Sequence, residues 1–138
     1  MSFLLDTNVV SEIRKRAPHP NVLGWFTSAP AGELFLRVLV VGEIRQGVDR
    51  LARRDPAQAE VFEHWLTQLV AIYKDRIVPV TTEVAEAWDR LNVPDPVPVI
   101  DGLLAATALV HGWTLVTRNT ADLASTGARL VDPFTRNR

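Results

Sequence analysis

Apolar residues fall along this chain in two rhythms. Phe3-Leu4-Leu5, Leu34-Phe35-Leu36, Ile77-Val78-Pro79-Val80, Thr114-Leu115-Val116-Thr117 and Leu130-Val131 are short, nearly unbroken runs that predict strands. The third belongs at a sheet edge, because proline cannot donate to a ladder. Between these runs the spacing turns helical. Asp6-Thr7-Asn8 offers capping side chains to a helix that runs to about Lys15, before Pro18 and Pro20. Asn21 to Ser28 suggests a short second helix carrying Trp25 and Phe26. Val40, Val41, Ile44, Val48 and Leu51 form the stripe of a third; Phe62, Trp65, Leu66, Leu69 and Ile72 form that of a fourth, opened by Asp55-Pro56. Thr81 caps a fifth helix to about Leu91, and Pro94-Asp95-Pro96-Val97-Pro98 is a stiff extended loop. From Ile100 to Val110 nearly every residue is apolar or small, which predicts a helix buried all round and stopped by Gly112. Asn119 to Ala124 makes a last short helix.

Uniformly apolar strands separated by helices indicate an α/β fold. The expected form is a three-layer sandwich: a parallel central sheet of about four to five strands with helices on both faces. Right-handed crossovers follow, and ligands bind outside the carboxyl ends of such strands. No repeat, low-complexity segment or linker interrupts the 138 residues, so the expectation is one domain over 1–138. A hydrophobic share of 47% excludes whole-chain disorder. The absence of cysteine excludes a disulfide framework and a thiolate zinc site. Fifteen Lys and Arg against sixteen Asp and Glu give a net charge of −1, so any nucleic-acid contact must use a local basic patch. The apolar stretch near residue 40 is broken by Arg37 and too short for a membrane span, and Met1 to Asp6 lacks the cationic start of a signal peptide. A cytoplasmic protein is expected.

Four acids occupy informative positions. Asp6 follows the first strand, Glu43 lies one turn into the helix after the second, Asp101 opens the apolar helix, and Asp122 lies just after the Leu115-Val116 strand. In a parallel sheet Asp6, Glu43 and Asp122 gather at one end, joined by Asp101 if its helix begins at the same rim. Taken singly, Asp6 and Asp101 could be helix caps, Glu43 a solvated helix residue and Asp122 a surface acid. Together they would repel unless a cation or hydrogen-bond donors compensate. Hard divalent ions such as Mg²⁺ take oxygen ligands of this kind, and a metal so held can activate water and offset charge on a phosphodiester; all-oxygen ligation argues against zinc and copper.

Thr7, Asn8, Thr117 and Asn119 flank the acids and could orient them, or could be ordinary caps. Glu43, Gly47, Arg50 and Arg54 share one helix face by spacing, which sets Arg50 about 10 Å and Arg54 about 16 Å from Glu43. Those distances suit phosphates flanking a scissile one; the plainer reading is a solvated face paired with Asp49 and Asp55. His19, His64 and His111 show no metal-ligand spacing and read as structural or exposed. Neither a Gly-rich phosphate loop nor a nucleophile elbow is present.

Four segments resemble, in order, the motifs of the PIN-domain toxins of the VapC type, particularly the FitB-like branch. They are Leu4-Leu5-Asp6-Thr7-Asn8-Val9-Val10-Ser11-Glu12, Val41-Gly42-Glu43-Ile44-Arg45-Gln46-Gly47, Asp101-Gly102-Leu103-Leu104-Ala105-Ala106-Thr107-Ala108 and Thr117-Arg118-Asn119-Thr120-Ala121-Asp122. The resemblance implies a Mg²⁺- or Mn²⁺-dependent ribonuclease, the toxin of a type II toxin–antitoxin pair. It also implies a homodimer and inhibition by a small cognate antitoxin of the VapB or FitA kind. Asp6, Glu43, Asp101 and Asp122 then match the acidic metal site, and Asn8, Thr117 and Asn119 match polar positions beside it. The chain departs from the pattern where Arg37 and Val40 precede the Glu motif, a stretch that often holds Ser or Thr, and where Leu123 replaces a common Phe.

Other readings fit less well. An aspartyl-phosphate phosphatase wants an acid two residues after its nucleophilic Asp, and here that position is Asn8. A receiver domain wants a late active-site lysine, but the only lysines are Lys15 and Lys74. The non-enzyme alternative is a catalytically silent PIN-like module that binds RNA or protein, against which stand all four acids.

Overall fold

The computed structural model describes residues 1–135. Five strands, β1 (Phe3–Leu5), β2 (Leu34–Arg37), β3 (Ile77–Val78), β4 (Thr114–Val116) and β5 (Leu130–Val131), form one sheet in the order β3-β2-β1-β4-β5. Every pairing is parallel; Phe3 lies opposite Leu34 on one side of β1 and Thr114 on the other. β3 lies at one edge, and Pro79 follows its last residue, so no ladder donor is lost.

Among the described residues seven α-helices connect the strands: α1 (Thr7–Ile13), α2 (Pro20–Ser28), α3 (Val38–Ala52), α4 (Pro56–Ile72), α5 (Thr82–Leu91), α6 (Val99–His111) and α7 (Thr120–Leu123). Their starts follow local chemistry. The side chains of Asp6, Asp55 and Thr81 each accept a backbone N–H from the first turn of α1, α4 and α5. α6 ends at Gly112, whose φ of 69° lies in the left-handed region that favours glycine.

The pleat sends alternate residues to opposite faces. Leu5, Leu34, Leu36 and Val116 face a core completed by α1 to α4, through Val9, Val22, Val40, Ile44 and Leu66. Leu4 and Leu115 face the other core, closed by Leu104, Ala105 and Ala108 of α6 and Leu123 of α7. Each fully buried leucine contributes about 1.5–3 kcal/mol of burial. The three-layer parallel α/β sandwich expected from the apolar runs is therefore the observed architecture.

Some local expectations need correction. Ile72 is 66% exposed, because the buried stripe of α4 continues through Ala59, Leu66 and Leu69 to Tyr73. α6 is enclosed only in its middle, Leu104 to Ala108, while Ile100 and Leu109 near its ends are exposed. α3 stops at Ala52, so Arg54 lies beyond the helix.

Candidate active site

β1 is the central strand, and the chain crosses to β2 on one side of it and later to β4 on the other. The crevice at the carboxyl end of β1 is thus a switch point, where such sheets bind ligands. Asp6 sits there. Its N–H donates to the Val116 carbonyl at 2.9 Å, which ties it to the end of β4. Its carboxylate is buried and held from several directions. Oδ1 accepts the Thr7 N–H at 2.7 Å; Oδ2 accepts the Thr117 hydroxyl at 2.8 Å and the Asn8 amide at 3.4 Å. Asp6 is therefore both the cap of α1 and a member of the acidic rim.

Thr117 is fully buried, and its Oγ1 in turn accepts the Asn119 N–H at 3.0 Å. Asn8 Oδ1 accepts the Arg118 N–H at 3.3 Å. The polar residues singled out beside the acids thus stitch the loop after β4 onto Asp6. Glu43 reaches the same region from α3: Thr7 donates its hydroxyl to Oε2 at 3.0 Å, and Arg37 donates Nη2–H to Oε1 at 3.2 Å. The Glu43 side chain is 35% exposed. Asp101 occupies the first turn of α6. Burial, and then the nearby charges of Asp6 and Asp122, push its carboxyl above the ordinary carboxylate range; the Arg37 charge pulls the other way. Asp122 is exposed on α7.

Arg37 is the residue that composition and spacing did not assign. It closes β2, is 1% exposed, and its Nη1 donates to the Ile100 carbonyl at 3.0 Å. Its departure from a stretch that often holds Ser or Thr was the one available signal. Burial lowers its pKa from the ordinary value, while Glu43, Asp6 and Asp101 raise it; a guanidinium stays charged regardless.

The two arginines expected to grip phosphates part company. Arg54 lines a cavity of ≈ 260 Å³ together with Thr7, Ser11, Arg14, Glu43 and Gly47. Arg50 instead lines a separate surface depression with Gly42, Arg45, Asp49 and Arg53. Arg45 is engaged by Glu63, through two hydrogen bonds of 2.9 and 2.6 Å. The histidines stay out of the site: His19 caps α2, His64 is exposed, and His111 stacks on Trp113.

Among the described residues, no three Asp, Glu, His or Cys side chains converge closely enough to cage a metal ion directly. The donor set is nonetheless of the hard, all-oxygen kind. Mg²⁺ is usually held by one or two carboxylates, with waters and substrate oxygens completing the shell. With Asp6 and Glu43 joined through Thr7 and Asp101 in the first turn of α6, the residues present fit a water-rich divalent site.

These features define a class: a doubly wound parallel α/β domain with acidic residues from four separate segments around the carboxyl end of its central strand. The chain belongs to the PIN domain family, whose pattern matches residues 3–128. It is 28% identical over 139 residues to the plasmid stability protein StbB of Pseudomonas syringae, covering 95% of this chain and 97% of that one. It is 27% identical over 139 residues to the VapC ribonuclease Y4jK of Sinorhizobium fredii, covering 95% and 96%. Among solved structures it resembles FitAcB from Neisseria gonorrhoeae, with a TM-score of 0.88 and 28% identity over 96% of this chain and 98% of that one.

Proposed function

We propose that this chain is a divalent-metal-dependent endoribonuclease, the toxin of a type II toxin–antitoxin pair, built as one PIN domain over residues 1–138. The observation that carries the reading is the buried Asp6 carboxylate at the switch point, held by Thr7, Asn8 and Thr117 and joined through Thr7 to Glu43, with Asp101 in the first turn of α6. Relatives named as a VapC ribonuclease and a FitAcB structure support the RNA substrate and a cognate VapB- or FitA-like antitoxin partner. Homodimerisation and a cytoplasmic setting belong to the same reading; among the described residues no helix is long and apolar enough to cross a membrane.

Asp6, Glu43, Asp101 and Asp122 would hold Mg²⁺ or Mn²⁺. Such an ion, when bound, lowers the pKa of a water and offsets the charge that develops on a phosphodiester. The side chains do the positioning. Thr117 and the Thr7 N–H fix both oxygens of Asp6, so its orientation is set before any ligand arrives. Thr7 does the same for Glu43. Asp101, in the first turn of α6, would add an oxygen ligand from the side of the site opposite α3. Arg54 and Arg14, in the cavity beside Glu43, are placed to hold flanking phosphates.

The test is cleavage of cellular RNA with Mg²⁺ or Mn²⁺ added, comparing the chain with its Asp6→Asn and Asp101→Asn variants. Each substitution should cut cleavage by about 10²–10⁴-fold while circular dichroism stays unchanged. Full activity in either variant overturns the assignment.

A further inference from the structure

Arg37 is an unusual ending for a strand. It is 1% exposed, it sits among the carboxylates, and it cannot be reached by a substrate as an exposed arginine can. Its fork is only partly used. Nη2 meets Glu43 at 3.2 Å and Nη1 meets the Ile100 carbonyl at 3.0 Å, while Nε is buried with no hydrogen-bond partner. A buried guanidinium with an orphaned donor is costly unless nearby charge compensates it, and Glu43, Asp6 and Asp101 are the acids near Arg37. The Arg37–Glu43 contact is the only ion pair at the rim among the described residues; the other pairs are Lys15–Glu12, Arg45–Asp49 and Arg45–Glu63, all elsewhere. Its position is fixed from both ends of the site: β2 carries it, α3 carries its Glu43 partner six residues on, and the first turn of α6 supplies the carbonyl.

We propose that Arg37 is a resident counter-ion of the acidic rim, which stabilises the cation-free protein and, by its charge, weakens divalent-cation binding there. The inference rests on the reading that the four acids bind such a cation. A fixed positive charge takes up part of the field that would otherwise attract the ion, and it occupies one oxygen of Glu43. The protein then keeps its carboxylates together at low cation levels and binds metal weakly.

Titration calorimetry with Mn²⁺ alone, and thermal unfolding with and without Mn²⁺, test it on the full chain. Arg37→Met should bind Mn²⁺ about tenfold more tightly, the scale of one screened charge at short range. It should also unfold at a lower temperature in EDTA and recover more than the parent when Mn²⁺ is added. Arg37→Lys, which retains the charge, should keep the parental Mn²⁺ affinity. Should Arg37→Met fail to fold, Arg37→Gln, which keeps a donor for Glu43 without the charge, carries the same expectation. Unchanged or weaker Mn²⁺ binding in the uncharged variant overturns the counter-ion role. Asp101→Asn separates the two levels. If it binds Mn²⁺ as the parent does, the metal-site reading itself fails; if it loses binding while the uncharged Arg37 variant matches the parent, only the counter-ion role fails.

Discussion

Asp101 is held where burial, and then the charges of Asp6 and Asp122, disfavour its ionised form. Its carboxyl lies above the ordinary 3.8, first through burial and then through Asp6 and Asp122. The folded state therefore binds this proton more tightly than the unfolded state, and stability falls as pH rises from 3.8 through the raised value. Asp101→Asn removes that term. In EDTA at neutral pH this variant should melt at a higher temperature than the parent, and the two melting curves should converge under acid. Thr117 makes the opposite case. Thr117→Val leaves Asp6 Oδ2 with only the long Asn8 contact and strips the Asn119 N–H of its acceptor. The expected outcome is a cost of about 1–3 kcal/mol in urea unfolding. Cleavage should fall by about 10–100-fold, as for other residues that orient ligands. At this scale the places of Asp6 after β1 and Asp101 in the first turn of α6 were legible in the sequence, because apolar spacing marks those boundaries. Arg37 was visible only as a departure from a pattern, since nothing in a linear chain says that a charged side chain ending a strand will be sealed from water.

Elements translate those residues into position. The start of α6 is set by a close approach: a Cβ at Gly102 would lie 2.7 Å from Trp88 Cδ1 and 2.8 Å from Val97 Cγ2. Gly102→Ala must therefore push α5 or the loop before α6 away, at a cost of about 1–3 kcal/mol, and shift Asp101 in the same turn. A denaturant melt and the Mn²⁺ affinity of that variant check both parts. Helix α4 offers a contrast. Leu66→Ala opens the core at a residue 2% exposed and should cost about 2–5 kcal/mol, whereas Ile72→Thr should stay within about 0.5 kcal/mol. Strands and helices could be read from apolar runs because two buried faces leave little room for polar residues. Where helices stop was less legible. α3 ends at Ala52 although Arg53 and Arg54 are good helix formers; Arg54 still lines the cavity with Glu43 and Gly47, whereas Arg50, inside the helix, lines a separate depression. The consequence is measurable: Arg54→Ala should raise KM for RNA with kcat little changed, and Arg50→Ala should do neither.

Across the whole molecule, a net charge of −1 leaves nucleic-acid attraction to a few arginines near the rim. The parallel sheet and its two cores followed from the rhythm of the chain; the depth at which the site is sewn together did not, because it depends on contacts more than a hundred residues apart, such as Thr117 to Asp6 and Arg118 to Asn8. The central place of β1 has one more consequence. In chain order β1 comes before both of its sheet neighbours, and the second of them is made only with Thr114–Val116. Until then the nascent polypeptide exposes one side of β1 and has no Thr117 to hold Asp6. The Asp6 carboxylate therefore gains the partner that orients it only after β4 has been made.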